Sequence, residues 1–188
     1  MPDRQTVAPA KRALDLLGAL TLLILLSPLL LAVGATVRVS RPGPALVRRR
    51  RVGLGGTPFD MLAFQASPST PLGRRLRHHF LDQLPQLVNV VRGEMSLVGP
   101  RPLSPQKAAT CPDRARMAVR PGITGLWQIS GRSGLPWEEM AILDLHYAQE
   151  CWLGLDLMIL LRTVPACVRG RGPRIAPDHR EHSRARLA

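Results

Sequence analysis

Two side chains suited to phosphate chemistry lie near the two ends of one stretch, Phe80 to Pro102, FLDQLPQLVNVVRGEMSLVGPRP. Asp82 is the carboxylate. It precedes Leu84, Leu87, Val88 and Val91, which with Leu81 recur at the three- and four-residue steps of an amphipathic helix. Pro85 fits such a helix only in its first turn, where backbone N–H groups have no intrahelical partner. The spacing therefore predicts Asp82 at or next to the N-cap and Gly93 just past the last turn. A carboxylate there sits among free amide donors at the positive end of a helix dipole, an environment that also suits phosphate. The residues alone leave two readings, a helix cap or a reacting group. Arg101 is the cation. Held between Pro100 and Pro102, it suits a guanidinium fixed towards a phosphate, and Met95 to Val98 before it reads as a short buried strand.

Other candidates surround this stretch. Arg74, Arg75 and Arg77 fall on a short helix, Leu72 to Arg77, and their fork geometry matches phosphate. His78 and His79 after them read as exposed helix residues. Asp144 lies on a helix opened by Pro136-Trp-Glu-Glu139 and is placed to face the site. Gln128 and Arg132 follow the turn-rich Arg120 to Gly125, where loop hydrogen bonding would account for them. Cys111, Cys151 and Cys167 are odd in number and widely spaced, which fits neither a metal cluster nor a disulfide framework and suits a reducing compartment.

The elements that must position these groups begin at a membrane. Leu16 to Val37 carry no charge, long enough for a membrane helix of about 20 residues. Ser27-Pro28 breaks it at the middle. Lys11 and Arg12 before it, and Arg38, Arg41 and Arg48 to Arg51 after it, favour both ends in the cytoplasm. A spanning helix and a re-entrant hairpin both remain open on the residues alone. Arg48 to Arg51 read either as part of a strand running to Val52 or as a basic patch on anionic lipid headgroups. Gly53, Gly55 and Gly56 read as a turn into a second strand, Pro58 to Phe64. Ser104 to Arg116 reads as a polar helix-and-loop cover. Trp152 to Val168, interrupted by Pro165, reads as an interfacial helix or a core helix. The formal net charge of +13, almost entirely arginine, calls for an anionic partner. Nucleic acid is not expected, because no binding motif is present and one Tyr and three Phe offer little stacking.

Leu-Asp82-x-Leu-Pro-Gln-Leu, Asn89, Gly93, Met95-Ser-Leu-Val-Gly-Pro-Arg-Pro102 and Val119-Arg-Pro-Gly-Ile-Thr-Gly-Leu-Trp-Gln-Ile-Ser-Gly-Arg132 together resemble the bacterial sugar transferases, monotopic phosphoglycosyl transferases acting on polyprenyl phosphate. The resemblance spans roughly residues 11 to 172. It implies an α+β chain: a polar lead (1–12), a re-entrant membrane helix hairpin (13–38), a small, mainly helical catalytic domain with a few short strands and interfacial amphipathic helices (39–168), and a basic, disordered tail (169–188). It implies Asp82 as nucleophile and as neighbour of Mg2+, with Gln128 and Arg132 on the nucleotide diphosphate or its base; Arg77, Arg101 and Asp144 join them as candidates to bind a nucleotide diphosphate sugar. The other partners would be undecaprenyl phosphate, an anionic-lipid membrane, and a second copy or polysaccharide assembly proteins, at the cytoplasmic face of the bacterial inner membrane. Three departures stand against it. Gln83 replaces the usual second carboxylate, Ala63 and Gln65 replace a Lys and an Arg, and the loop Ala66 to Pro71 is short. They allow a second reading, a weak or inactive relative that serves as a membrane-bound partner protein; a membrane-tethered nucleic-acid binder is third.

Overall fold

The computed structural model describes residues 4–40, 42–111, 114–130 and 137–170. Two helices open the chain, α1 (Arg4–Leu25) and α2 (Ser27–Ser40), and the apolar stretch Pro9–Leu25 is bent by 63° against α2. The break predicted at Ser27-Pro28 falls there for a local reason. Pro28 has no N–H to give the Ile24 carbonyl one turn back, and its ring crowds that carbonyl. The Ser27 hydroxyl donates to the Ile24 oxygen instead, at 2.8 Å, so the bend leaves that acceptor satisfied. Among the described residues no single helix is long and apolar enough to cross a membrane; the bent pair together is.

An antiparallel hairpin follows, β1 (Leu46–Val52) with β2 (Pro58–Phe64), Arg51 opposite Phe59 and Arg48 opposite Leu62. The glycine turn read from sequence joins them. α3 (Pro71–His78) is capped by the Thr70 hydroxyl, which accepts from the Gly73 N–H at 3.1 Å. Next come a 3-10 turn (Leu81–Gln83) and α4 (Gln86–Arg92), then β3 (Ser96–Val98), fully buried, paired in parallel with β4 (Gly122–Thr124). The Gly122 Cα lies so close to Gly99 that an added Cβ would meet the Gly99 nitrogen at 2.0 Å. Between the two strands lie α5 (Pro105–Ala109) and a 3-10 segment (Arg114–Ala118). After them run α6 (Leu126–Ile129), α7 (Trp137–Glu150) and α8 (Leu153–Arg169). Mixed helix with two small sheets is the expected α+β class.

α1 is built into the domain. Its Ala19 is wholly buried in one core with Leu87, Val90, Met95, Leu97 and Ile159, while Val33 and Val37 of α2 join Phe64 and Leu76 in a second. Asp15 of α1, 5% exposed, accepts from the Leu97 N–H at 3.0 Å. The Lys11 ammonium bonds Asp156 at 2.6 Å and the Val98 carbonyl at 3.2 Å, and Tyr147 donates to Asp156 at 2.5 Å. Burial beside Asp156 raises the Tyr147 phenol far above its ordinary range, so it stays a donor. Arg12 and Arg120 donate to the Val91 and Gly93 carbonyls at the C-terminal end of α4, where cations suit the dipole. The opposite faces stay apolar and exposed: Leu17, Ile24 and Leu25 on α1, Leu31 on α2, and Leu157, Leu161, Val164 and Val168 on α8.

Two boundaries differ from expectation. α4 starts at Gln86, with Pro85 before it, and Asp82 occupies its own turn rather than an N-cap. Phe80 causes this: it takes the left-handed conformation (φ 58°), ends the α3 direction and begins a tight turn. The predicted stop holds, with Gly93 left-handed (φ 86°) at the C-cap. α8 continues through Pro165, whose lost bond would fall on the Leu161 carbonyl of an exposed, apolar residue.

Candidate active site

The Asp82 turn is made by sequence at both edges. Phe80, buried, is the only non-glycine residue at positive φ among those described. For an aromatic residue such a conformation is strained and persists where packing holds it. Gln83 N–H donates to the Phe80 carbonyl at 3.0 Å and closes the turn. Asp82 is 5% exposed, Gln83 half-buried, and the turn packs against β2 and α3. On α3, Arg77 is half-buried while Arg74 and Arg75 are exposed, and Arg74 donates to the Ser69 carbonyl at 3.2 Å. Of the three arginines, Arg77 is therefore the least exposed. Ala63, where the resemblance expected lysine, is buried on β2 and carries no charge to the turn.

Behind the turn stands Asn89, wholly buried on α4. Its carboxamide accepts from the Leu62 N–H at 3.0 Å and donates to the Asp60 carbonyl at 2.8 Å and to Glu94 at 2.6 Å. One side chain thus satisfies a donor and an acceptor of β2 and ties the sheet to the helix that follows Asp82. On the other side α2 and α3 flank an open groove of about 330 Å3, lined by Val37, Gln65, Thr70, Leu72 and Leu76.

Arg101 sits in a second constellation. Its guanidinium lies over the Trp127 ring, 5.1 Å from the centroid, and reaches the Met140 sulfur at 3.5 Å. Its N–H donates to both Asp144 carboxylate oxygens at 3.3 and 3.2 Å. Asp144 is 1% exposed and also bound by the Arg116 guanidinium, itself buried, which donates further to the Arg101 carbonyl at 3.4 Å. Asp144 therefore grips the backbone that carries Arg101, with its own oxygens engaged by protein donors. Burial pushes its carboxyl up to about 6, against the opposing pull of Arg116 and Arg101. Gln128, 9% exposed on α6, has its amide oxygen buried without a hydrogen-bond partner among the described residues.

The structure so places Asp82 and Gln83 in one turn packed against α3, which carries Arg77, and gathers Arg101, Asp144 and the Trp127-Gln128 pair in another place. The β1–β2 hairpin touches both: β2 packs on the Asp82 turn, and Val52 at the end of β1 donates to the Leu103 carbonyl at 2.9 Å. Arg132 and residues 171–188 of the expected tail lie outside the described residues. Arg116 was missed by reading sequence, because it partners Asp144 across a long separation and no local spacing marks the pair.

Residues 6–170 match the family model described as bacterial sugar transferase. The chain is 40% identical over 190 residues to a UDP-glucose:undecaprenyl-phosphate glucose-1-phosphate transferase of Caulobacter vibrioides, covering 87% of this chain and 71% of that one. It is 36% identical over 197 residues to the exopolysaccharide production protein ExoY of Sinorhizobium fredii, covering 87% of each. Against the undecaprenyl-phosphate galactose phosphotransferase of Salmonella typhimurium it is 32% identical over 197 residues, covering 86% of this chain and 41% of the relative. The chain belongs to the bacterial sugar transferase family.

Proposed function

We propose that this protein transfers a sugar-1-phosphate from a nucleotide diphosphate sugar to undecaprenyl phosphate, an early membrane step of exopolysaccharide or related glycoconjugate synthesis. The observation that carries this is the family match over residues 6–170, with relatives named for that transfer. In the proposed reaction the Asp82 carboxylate attacks the β-phosphorus, the bond to the nucleoside monophosphate oxygen breaks, and the phosphosugar is left on the carboxylate. The acceptor phosphate oxygen then attacks the same phosphorus and Asp82 departs as a free carboxylate. Arg101 and Arg77 offset charge on the phosphates, and Asp144 positions Arg101 rather than touching the substrate. Gln128, whose buried oxygen has no partner among the described residues, is suited to accept from a nucleotide base or ribose. The groove between α2 and α3 offers the first isoprene units of the acceptor a largely apolar wall.

Mg2+ fits a site with one protein carboxylate, because it commonly keeps waters and takes its remaining ligands from substrate phosphates. Among the described residues there is no group of three metal-binding side chains, so Asp82 would hold the ion together with the diphosphate. When bound, the ion would supply positive charge to the transferring group. Gln83 offers only a neutral amide oxygen. Gln83→Glu is therefore expected to raise turnover, most at low Mg2+, by roughly tenfold or about 1.4 kcal/mol. Turnover at background at every Mg2+ concentration, in both the variant and the wild type, would instead favour the second reading, an inactive membrane-bound partner.

The bent α1–α2 pair and the apolar faces of α1, α2 and α8 support a hairpin that enters one leaflet with both ends in the cytoplasm. In a cysteine-free background, Ala8→Cys and Thr57→Cys should both resist a membrane-impermeant thiol reagent applied to intact cells. Labelling of one alone would mean that the segment spans. The function itself is tested by release of nucleoside monophosphate from a panel of nucleotide sugars, with and without undecaprenyl phosphate.

A further inference from the structure

β1 carries four consecutive arginines, and the antiparallel register sorts them by face. Residues directly opposite share a face, so Arg51 and Arg49 lie on the side of Phe59 and Met61, both core residues. Arg48 and Arg50 lie on the other, where Arg50 pairs with Asp60 at 3.3 Å. Arg51 has no such partner: no acid bonds it among the described residues, and its Nε is buried without a hydrogen bond. Just beyond it, Val52 is hydrogen-bonded to Leu103, and Val52, Gly53, Pro100, Arg101 and Leu103 line one small cleft. Burial lowers the basicity of Arg51, and the charges of Arg49 and Arg101 lower it further. A half-buried guanidinium facing like charge is costly when alone and favourable once a dianion arrives.

We propose that Arg51 is an anion-binding residue that forms, with Arg101, a two-guanidinium clamp for a diphosphate group. This rests on the nucleotide-sugar reading above and adds a residue to it. A lipid headgroup phosphate offers the same chemistry, so the test must separate the two sources. Inorganic pyrophosphate is titrated into the full-length protein in detergent by calorimetry, and flotation with anionic vesicles is measured beside it. Arg51→Gln should weaken pyrophosphate binding roughly tenfold to a hundredfold. Arg51→Lys, which keeps the charge and loses the fork, should fall between, Arg50→Gln should bind as wild type, and vesicle binding should not change in Arg51→Gln. Loss of vesicle binding with pyrophosphate affinity intact would overturn the clamp and make Arg51 a lipid contact. If Arg51→Gln does not fold, phenylglyoxal modification of the wild type decides: pyrophosphate should protect Arg51 and leave Arg50 reactive, and no protection of Arg51 overturns the proposal. A wild type that turns over no nucleotide sugar, yet binds pyrophosphate through Arg51, would sink the activity and keep the clamp. Normal turnover and binding in Arg51→Gln would do the reverse.

Discussion

Asp82→Asn should take sugar-phosphate transfer to background, a loss of at least ~1000-fold, or roughly 4 kcal/mol of barrier. The amide matches the carboxylate in shape but cannot form the acyl phosphate. The turn itself should survive, because the left-handed Phe80 and the backbone bond from Gln83 to Phe80 hold it. A thermal melt close to wild type must therefore accompany the lost activity. The readout that separates a nucleophile from a metal neighbour is the first half-reaction. With nucleotide sugar and no acceptor, the wild type should release up to one nucleoside monophosphate per protein and carry a phosphosugar on the peptide containing Asp82. Release of that burst by Asp82→Asn, or a modified peptide elsewhere, would show that another group attacks.

How much of this site could be read from residues follows from the range of the interactions involved. The Ser27-Pro28 break, the short helix around residues 72–77 and the Gly93 stop each depend on a few neighbouring residues, and each falls where the pattern puts it. The β1–β2 hairpin was legible for the same reason. For Asp82 the pattern expects a place at the start of the helix, and the structure gives it a turn of its own. Nothing in a periodic apolar stripe announces that an aromatic residue will adopt φ 58° and cut the helix short. Lys11 and Arg12 were read as flanking charges of a membrane segment. The structure bonds them instead to Asp156, Val98 and Val91, contacts made only because α1 packs into the core. The arginine run reads as one basic string, and only the strand register separates its two faces.

Arg116→Met carries the second large effect, and its pH dependence tells what the residue does. The Arg116 and Asp144 side chains are 3% and 2% exposed, so removing the cation strands a buried carboxylate. Breaking such a pair costs about 3–5 kcal/mol. Asp144 already titrates at about 6, raised by burial from the ordinary 3.8, with Arg116 the largest opposing influence. Without Arg116 the folded-state pKa must rise further. An acid that binds its proton more tightly when folded gives stability that is lost as pH rises through the folded pKa. Below pH 6 Asp144 is neutral in both proteins and the deficit is modest; above it the wild type is ionised with a partner while the variant holds its proton or an unpaired charge. Chemical denaturation in detergent micelles should show the gap growing between about pH 5.5 and about pH 8. A gap equal at both would mean that Arg116 only fills space. Asp144→Leu added to Arg116→Met should recover most of the stability, since a buried ion pair is often replaceable by apolar groups. It should not recover activity, because the Arg101 N–H would lose the carboxylate that holds it. Restored folding with turnover still low would identify Asp144 as the residue that positions Arg101; restored turnover would leave the pair a purely structural one.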